Sequence, residues 1–300
     1  MTNFKVWISS FRLRTLPLSI SGIILGSALA YSNQFFNTTI FVFALLTTIS
    51  LQILSNLAND YGDGIKGTDN NNRIGPERAI QSGLISPIQM KYAIITNVLI
   101  LIVLITTLLY FSFGTNEYLN LLTFFTLGII SIYSAIKYTV GNKAYGYYAL
   151  GDLFVLLFFG FLSVMGSYYL YAKNLEINII LPSFSIGLLS VAVINLNNMR
   201  DLVSDKLSNK ITVAGKLGFA NSKKYHFLIL ISSIVFSLLF ILFFYYKPLS
   251  LIVIISYIPI VFHLKKVYTI TKPGEYNDEL KKVAISTFLF SVIHSLIIII

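Results

Sequence analysis

Two clusters of Asn and Asp stand out as groups capable of chemistry. The first is Asn56-Leu-Ala-Asn59-Asp60-Tyr61-Gly-Asp63-Gly-Ile-Lys66-Gly67-Thr-Asp69, between an apolar run, Thr39 to Leu54, and a polar segment ending near Ser86. On a helix, Asn56, Asn59 or Asp60, and Asp63 fall at i, i+3/i+4 and i+7, which is one face. The second is Asn195-Leu-Asn197-Asn198-Met-Arg200-Asp201-Leu-Val-Ser-Asp205, in which Asn197, Asp201 and Asp205 recur every fourth residue along one stripe. Carboxylates this close repel one another and lose hydration, so each cluster asks for cations among its oxygens. With no His or Cys beside them, the stripes form an all-oxygen donor set, which suits Mg2+ held by a few carboxylates and substrate phosphates. Lys66, Arg73, Arg78 and Arg200 add positive charge nearby. That charge is redundant for a metal alone but sensible for a polyanion. Together these residues ask for a diphosphate bridged by Mg2+. A calcium loop does not fit, because its carboxylates alternate ahead of a Gly and a distal Glu. Gly62, Gly64 and Gly67 lack the flanking pattern of a phosphate-binding loop.

The rest of the chain reads as a membrane scaffold that brings the two acidic helix ends together. Of 300 residues, 56% are hydrophobic and 11% charged, against roughly a quarter charged in soluble domains. Apolar runs recur, and their lengths and turn signals place nine spans near 15–33, 39–58, 91–111, 118–136, 151–171, 177–198, 225–245, 249–267 and 283–300. The first span has Arg12 and Arg14 beside it and no small-residue cleavage site, unlike a cleavable leader. Cysteine is absent, which excludes disulfides and thiol chemistry. Many Phe and Tyr line these spans, so a ligand here would carry a long apolar tail, and ring faces would stabilise an allylic cation once a diphosphate departs.

A net charge of +10 raises the question of nucleic acid, but its distribution excludes that partner. Nine spans alternate the loops between two sides, and 20 of the 22 Lys and Arg then fall on one side. Only Lys173 and Lys247 fall on the other. The bias puts the N-terminus, the basic loops and both acidic clusters in the cytoplasm, as in a bacterial inner-membrane protein.

Met1–Pro17, with Phe4, Trp7, Phe11, Arg12 and Arg14, reads as an interfacial helix leading into the first span; the alternative is that Arg12 or Arg14 reaches an anionic ligand. The loop from Asp69 to Gly83 alternates basic residues with Gly and Pro and is expected to cover the acidic cluster as a lid or short helix. Asp152 at the head of span five is either a functional ionisable group or an N-cap. Lys272 to Glu279 reads as a solvated turn, and His226, His263 and His294 as scattered among apolar neighbours, with no zinc spacing.

With both motifs in view, the chain resembles the intramembrane aromatic prenyltransferases of the UbiA superfamily over nearly its whole length. That family's first motif reads Asn-Asp-x-x-Asp-x-x-x-Asp and its second Asp-x-x-x-Asp. Asn59 and Asp63 match the first, position 67 is Gly, and the last acid shifts to Asp69. The shifted form followed by Arg73-Ile-Gly-Pro76, the segment Asn195 to Asp205, and Leu150-Gly151-Asp152 are similar to the branch acting on 1,4-dihydroxy-2-naphthoate. Where that branch has Tyr-Thr-Gly-Gly-Pro, this chain has Tyr138-Thr139-Val140-Gly141-Asn142.

The resemblance implies one all-α integral membrane domain over residues 1–300, with nine transmembrane helices around a central cavity under a cytosolic loop cap. It implies electrophilic aromatic substitution, with Mg2+ as cofactor and a polyprenyl diphosphate and 1,4-dihydroxy-2-naphthoate as substrates. Diphosphate and CO2 would leave and demethylmenaquinone would form. Asp63 and Asp69 would hold metal on one side, Asp201 and Asp205 on the other, with Asn59 and Asn197 orienting them or binding directly. Lys66, Arg73, Arg78 and Arg200 would neutralise the diphosphate, and Arg14, Tyr138 and Asp152 would meet the substrates. Asp69 is expected to replace the missing acid through a helix break at Gly64–Gly67; the rival, Asp60, needs a continuous helix. A 4-hydroxybenzoate or other aromatic acceptor is the alternative within the superfamily, and a cation-coupled transporter the alternative outside it.

The charge tally yields a topology test. Single cysteines at Arg73 and Lys210 are expected to be shielded from an impermeant thiol reagent in intact cells, and those at Lys173 and Lys247 to be labelled. Labelling of position 73 from outside would sink the nine-span arrangement.

Overall fold

The apolar runs fold as helices whose ends carry recognisable caps. In the computed structural model, which describes residues 4–69 and 74–300, nine helical segments are long and apolar enough to cross a membrane. In chain order the helices are α1 (Phe4–Phe11), α2 (Leu16–Ser32), α3 (Thr38–Ile65), α4 (Pro87–Phe113), α5 (Tyr118–Lys137) and α6 (Gly151–Val155). A π-helical stretch, Leu156–Gly166, carries α6 into α7 (Ser167–Ala172). Then come α8 (Ile180–Arg200), α9 (Leu202–Leu207), α10 (Val213–Phe244), α11 (Val253–Thr269) and α12 (Tyr276–Ile299). Asn37 caps α3 by accepting from Thr39 N and Ile40 N, and Ser86 with Gln89 forms a capping box ahead of Pro87.

The expected nine spans are all present, but three reach further at the end that bears the basic loops. The second continues to Ile65, the seventh begins at Val213 with a kink at Gly218 (φ 71°), and the ninth begins at Pro273. Apolar periodicity reports only the part of a helix that lipid or core must cover. Backbone hydrogen bonding continues through Asn59, Asp60 and Asp63 because these polar residues are held by protein groups.

Packing sets a cavity between the helices. α2 packs on α3, α12 and the π-helical stretch, while α8 packs on that stretch, α10 and α12. In lipid the hydrophobic effect does not press helices together, so small residues that let backbones approach take over. Gly22 and Gly26 of α2 face Ser163 and Ser167, and Gly160 faces Gly187 of α8. The N-terminal helix is separate, as expected: Arg12 adopts φ 50°, and Asn56 Nδ2 donates to Phe11 O (2.9 Å) and Thr15 Oγ1 (3.1 Å) to hold it.

Two of the three histidines are not scattered as the sequence suggests. His226 Nε2 and His263 Nε2 lie 2.8 Å apart, and His263 Nδ1 lies 2.5 Å from Glu279 Oε2. Glu279, expected in a solvated turn, is 1% exposed and also accepts from Lys282 Nζ at 2.7 Å. A charge in a low-dielectric interior must be paired; Lys282 lies one turn along α12, but His263 comes from α11, out of reach of sequence spacing.

The close glycine contacts predict a packing defect. In Gly160→Val the new Cβ would stand 2.6 Å from Ser183 O and 2.8 Å from Gly187 Cα, both backbone atoms that cannot step aside. A loss of about 1–3 kcal/mol is expected, seen as a lower unfolding midpoint in detergent. Gly166→Ala, whose Cβ meets only the Leu162 side chain, should be nearly neutral. Equal midpoints for the two variants would refute the contact.

Candidate active site

The first acidic motif stays helical through Asp63, and the chain turns only at Lys66 and Gly67. Gly67 has φ 70° with open space around it, a conformation that favours glycine. Thr68 N and Asp69 N fold back to Asp63 O at 3.0 and 3.4 Å, which sets Asp69 beside Asp63. The break therefore falls at the far edge of the expected Gly64–Gly67 stretch. Gly64 remains helical and is a packing glycine, since a Cβ there would meet Ile80 Cγ2 at 2.7 Å. Asp60 lines the larger cavity but not the small one: its carboxylate accepts from Ala79 N (3.3 Å) and Ile80 N (3.4 Å) and so holds the loop that carries Arg78. Asn56 likewise leaves the expected face to clamp the N-terminal segment.

The second motif bends but keeps its stripe. α8 ends at Arg200 and α9 starts at Leu202, yet Asp201 N still reaches Asn197 O (3.1 Å) and Asp205 N reaches Asp201 O (2.8 Å). Arg200 donates through Nε to Asp201 Oδ1 (2.8 Å), through NH2 to Asn197 Oδ1 (2.8 Å) and through NH1 to Asn277 Oδ1 (2.9 Å).

These two ends meet. A polar cavity of about 10 Å³ is lined by Asp63, Thr68, Asp69, Arg78, Asn197, Asp201, Ser204, Asp205 and Lys210. It shares Asp63, Arg78, Asn197 and Lys210 with a second cavity of about 810 Å³. The larger one runs past Arg14, Tyr138, Tyr145 and Phe154 to Phe158, Phe159, Leu162, Ile23 and Leu51. Its wall includes Pro76 to Ala79, so the loop after α3 covers the site as a lid without forming a helix among its described residues.

Charge inside the small cavity is balanced by side-chain cations. Arg78 NH1 lies 3.0 Å from Asp63 Oδ2 and 3.1 Å from Asp69 Oδ2. Lys210 Nζ lies 3.4 Å from Asp205 Oδ1. Burial disfavours both cations, but Asp63 and Asp69 outweigh it at Arg78, and Asp63 and Asp205 at Lys210, so both pKa values rise. Burial, with Asp201 nearby, pushes the Asp205 carboxyl up to about 6 against the pull of Lys210. Among the described residues no three His, Asp or Glu side chains converge closely enough to enclose a metal by themselves. The donor set still fits Mg2+: it is all oxygen, and Asp205 Oδ2 is buried with no hydrogen-bond partner.

The other expected site residues divide. Arg14 and Tyr138 line the larger cavity, and burial pushes the Tyr138 phenol up to about 12. Asn59 lines only the larger cavity, where its Oδ1 accepts from Thr139 Oγ1 at 3.3 Å, and so stands apart from Asp69, Asp201 and Asp205. Lys66 is exposed and lines neither cavity; its ammonium sits 3.9 Å from the Tyr147 ring centroid. Asp152 is no side-chain N-cap and lines neither cavity; it accepts from Tyr225 OH at 3.0 Å, tying α6 to α10. Arg73 lies outside the described residues. At the departure Tyr138 to Asn142, Gly141 takes φ 90°, whereas Val140 N continues a helical bond to Ile136 O (3.1 Å). The position that needs glycine has it, and the position that carries Val does not need it.

Three residues escaped the sequence reading: Lys210, Asn277 and Tyr147. Lys210 counted only toward topology, although its backbone N, five residues after Asp205, closes onto Asp205 O at 2.8 Å. Asn277 sat in the expected solvated turn. Tyr147 donates to Asp63 Oδ1 at 2.8 Å from a loop with no local signal for it.

Residues 19–292 match the UbiA prenyltransferase family, and the chain belongs to it. It is 46% identical over 239 residues to the 1,4-dihydroxy-2-naphthoate octaprenyltransferase of Escherichia coli, covering 80% of this chain and 77% of that one. It is 39% identical over 294 residues to the protein of the same name from Haemophilus influenzae, covering 97% and 95%. Its fold is similar to a solved UbiA homologue from Archaeoglobus fulgidus bound to DMAPP and Mg2+, with TM-score 0.64, 14% identity and coverage of 98% and 99%.

The geometry separates Asp60 from Asp69. Asp69→Asn is expected to raise the Mg2+ concentration for half-maximal activity by about tenfold or more, while Arg78 keeps its pair with Asp63. Asp60→Asn should instead lower the midpoint by loosening the Arg78 loop. The reverse pattern in a Mg2+ titration and a thermal melt would overturn the assignment.

Proposed function

We propose that the protein transfers a polyprenyl group from a polyprenyl diphosphate to 1,4-dihydroxy-2-naphthoate, releasing diphosphate and CO2 and giving demethylmenaquinone, formed as the hydroquinone. The observation that carries this reading is the wall shared by the small acidic cavity and the large one whose far end is built from Phe, Leu and Ile. One ligand that spans it has a charged head and a long apolar tail. The acceptor is the one in the names of the Escherichia coli and Haemophilus influenzae relatives, and their octaprenyl donor is the first to test.

Asp63, Asp69, Asp201 and Asp205, with Asn197, would hold Mg2+. When bound, the metal supplies charge neutralisation that makes the diphosphate a better leaving group. Arg78 and Lys210, on the shared wall, meet the diphosphate oxygens as negative charge moves onto them. Arg200 holds Asn197 and Asp201 in place and ties them to Asn277 of α12. Tyr138, Tyr145, Phe154 and Phe158 put rings along the larger cavity next to this wall, where they stabilise an allylic cation and keep water from it. The electron-rich naphthoate ring bonds to that cation and releases its carboxylate as CO2, a substitution that needs no external base. The basic-residue bias supports a cytoplasmic-facing site in a bacterial inner membrane.

The test is prenyl transfer by purified protein in detergent. Octaprenyl diphosphate and 1,4-dihydroxy-2-naphthoate should give diphosphate release and prenylated product only with Mg2+. Asp63→Asn and Asp201→Asn should each lower turnover by about a hundredfold or more at normal expression and unchanged elution. Full activity in either variant refutes the site. Preferred turnover of 4-hydroxybenzoate replaces the acceptor, and cation-coupled transport in liposomes without turnover favours a carrier.

A further inference from the structure

Tyr147 touches the acidic cavity without lining it. Its hydroxyl donates to Asp63 Oδ1 at 2.8 Å and lies 2.7 Å from Thr68 Oγ1. A phenol has a single proton to give. With that proton on the carboxylate, the Thr68 hydroxyl must donate to the phenol oxygen, so the chain runs one way, from Thr68 to Tyr147 to Asp63. The other Asp63 oxygen, Oδ2, accepts from Arg78 at 3.0 Å. Asp63 is thus held at one oxygen by a cation on the shared wall and at the other by a neutral donor outside it.

The backbone around Tyr147 joins three segments. Tyr147 O accepts from Ile211 N (3.2 Å) and Ala149 N donates to Ile211 O (2.8 Å), which staples this loop to the segment bearing Lys210. Thr68 adjoins Asp69. The Tyr147 ring also carries the Lys66 ammonium, with Lys210 Nζ 5.9 Å from its centroid.

We propose that Tyr147 is a positioning residue for Asp63, fixing its carboxylate by Oδ1 so that Oδ2 is the atom turned toward metal and diphosphate. A neutral donor suits this task because it orients the carboxylate and leaves its charge available to a cation. Through Thr68 and Ile211 the same residue couples that orientation to the segments that carry Asp69 and Lys210. The inference rests on reading the acidic cavity as the metal and diphosphate site.

Tyr147→Phe keeps the ring under Lys66 and removes only the hydroxyl. The readout is protection of the full-length protein in detergent against thermal unfolding by inorganic pyrophosphate, titrated with Mg2+. The half-maximal Mg2+ concentration should rise about tenfold or more in Tyr147→Phe, while the midpoint without ligands and the KM for the aromatic acceptor stay near wild type. Thr68→Val should shift the Mg2+ titration the same way by about threefold, and Thr68→Ser should restore it. Asp63→Asn should lose the protection. If Asp63→Asn loses it but Tyr147→Phe titrates as wild type, the Tyr147 role is wrong and the site stands. If Asp63→Asn is protected as wild type, the site reading itself fails. Should Tyr147→Phe not fold, a wild-type titration in Thr68→Val overturns the inference.

Discussion

Negative charge confined in a nearly dry space governs the rest of this molecule. Asp63, Asp69, Asp201 and Asp205 line a cavity of about 10 Å³ at one end of a membrane bundle. Ion pairs there are screened far less than at a surface, and removing one partner of a buried pair costs about 3–5 kcal/mol. The carboxylates therefore require Arg78, Lys210 and Arg200. Each arrives from a different element: a lid loop, the chain after α9, and the end of α8. The site is a crossing point of several segments, and its geometry is only as good as the hydrogen bonds that aim them. Asp60 aims the lid loop, Asn277 aims Arg200, and the pairing of Tyr147 to Ala149 with Ile211 aims the segment that carries Lys210.

The bundle has a different problem, because helices in lipid gain nothing from hiding apolar surface from one another. Close contacts solve it where the chain must be tight, at Gly22, Gly26, Gly160 and Gly187. Paired polar groups solve it elsewhere: Ser185 and Ser233 exchange hydrogen bonds between α8 and α10, and Ser291 donates to Ser21 O between α12 and α2. The chain His226, His263, Glu279 and Lys282 joins α10, α11 and α12 in the same way. Such fixed contacts outside the cavity allow about 810 Å³ to stay open inside it. The π-helical stretch Leu156–Gly166 lies between two of these contacts and supplies Phe158, Phe159 and Leu162 to the cavity wall. π-Helical turns concentrate at functional sites, and this one faces the space that an apolar tail would fill.

Local periodicity and composition were enough to define the spans. Runs of apolar residues define nine spans because lipid must be met by about 20 apolar residues whatever their partners. Asn197, Asp201 and Asp205 form one stripe because helical spacing is a local property, and it survives the bend at Asp201. The absence of His and Cys beside the acids defined an all-oxygen donor set, and Gly67 marked a turn that only its φ of 70° required. Tertiary structure decided which polar residues face the site. Asp60 and Asp69 are both acids near Asp63, yet one binds Ala79 N and Ile80 N while the other folds back to the cavity. Lys66 and Lys210 are both lysines near an acidic motif, yet only Lys210 enters. Asp152 turns to Tyr225, and His226 finds His263 across 37 residues. Sequence spacing carries the angle of a side chain around its own helix. It does not carry which neighbouring helix stands at that angle, and in a low-dielectric interior it is the neighbour that determines whether a charge serves structure or chemistry.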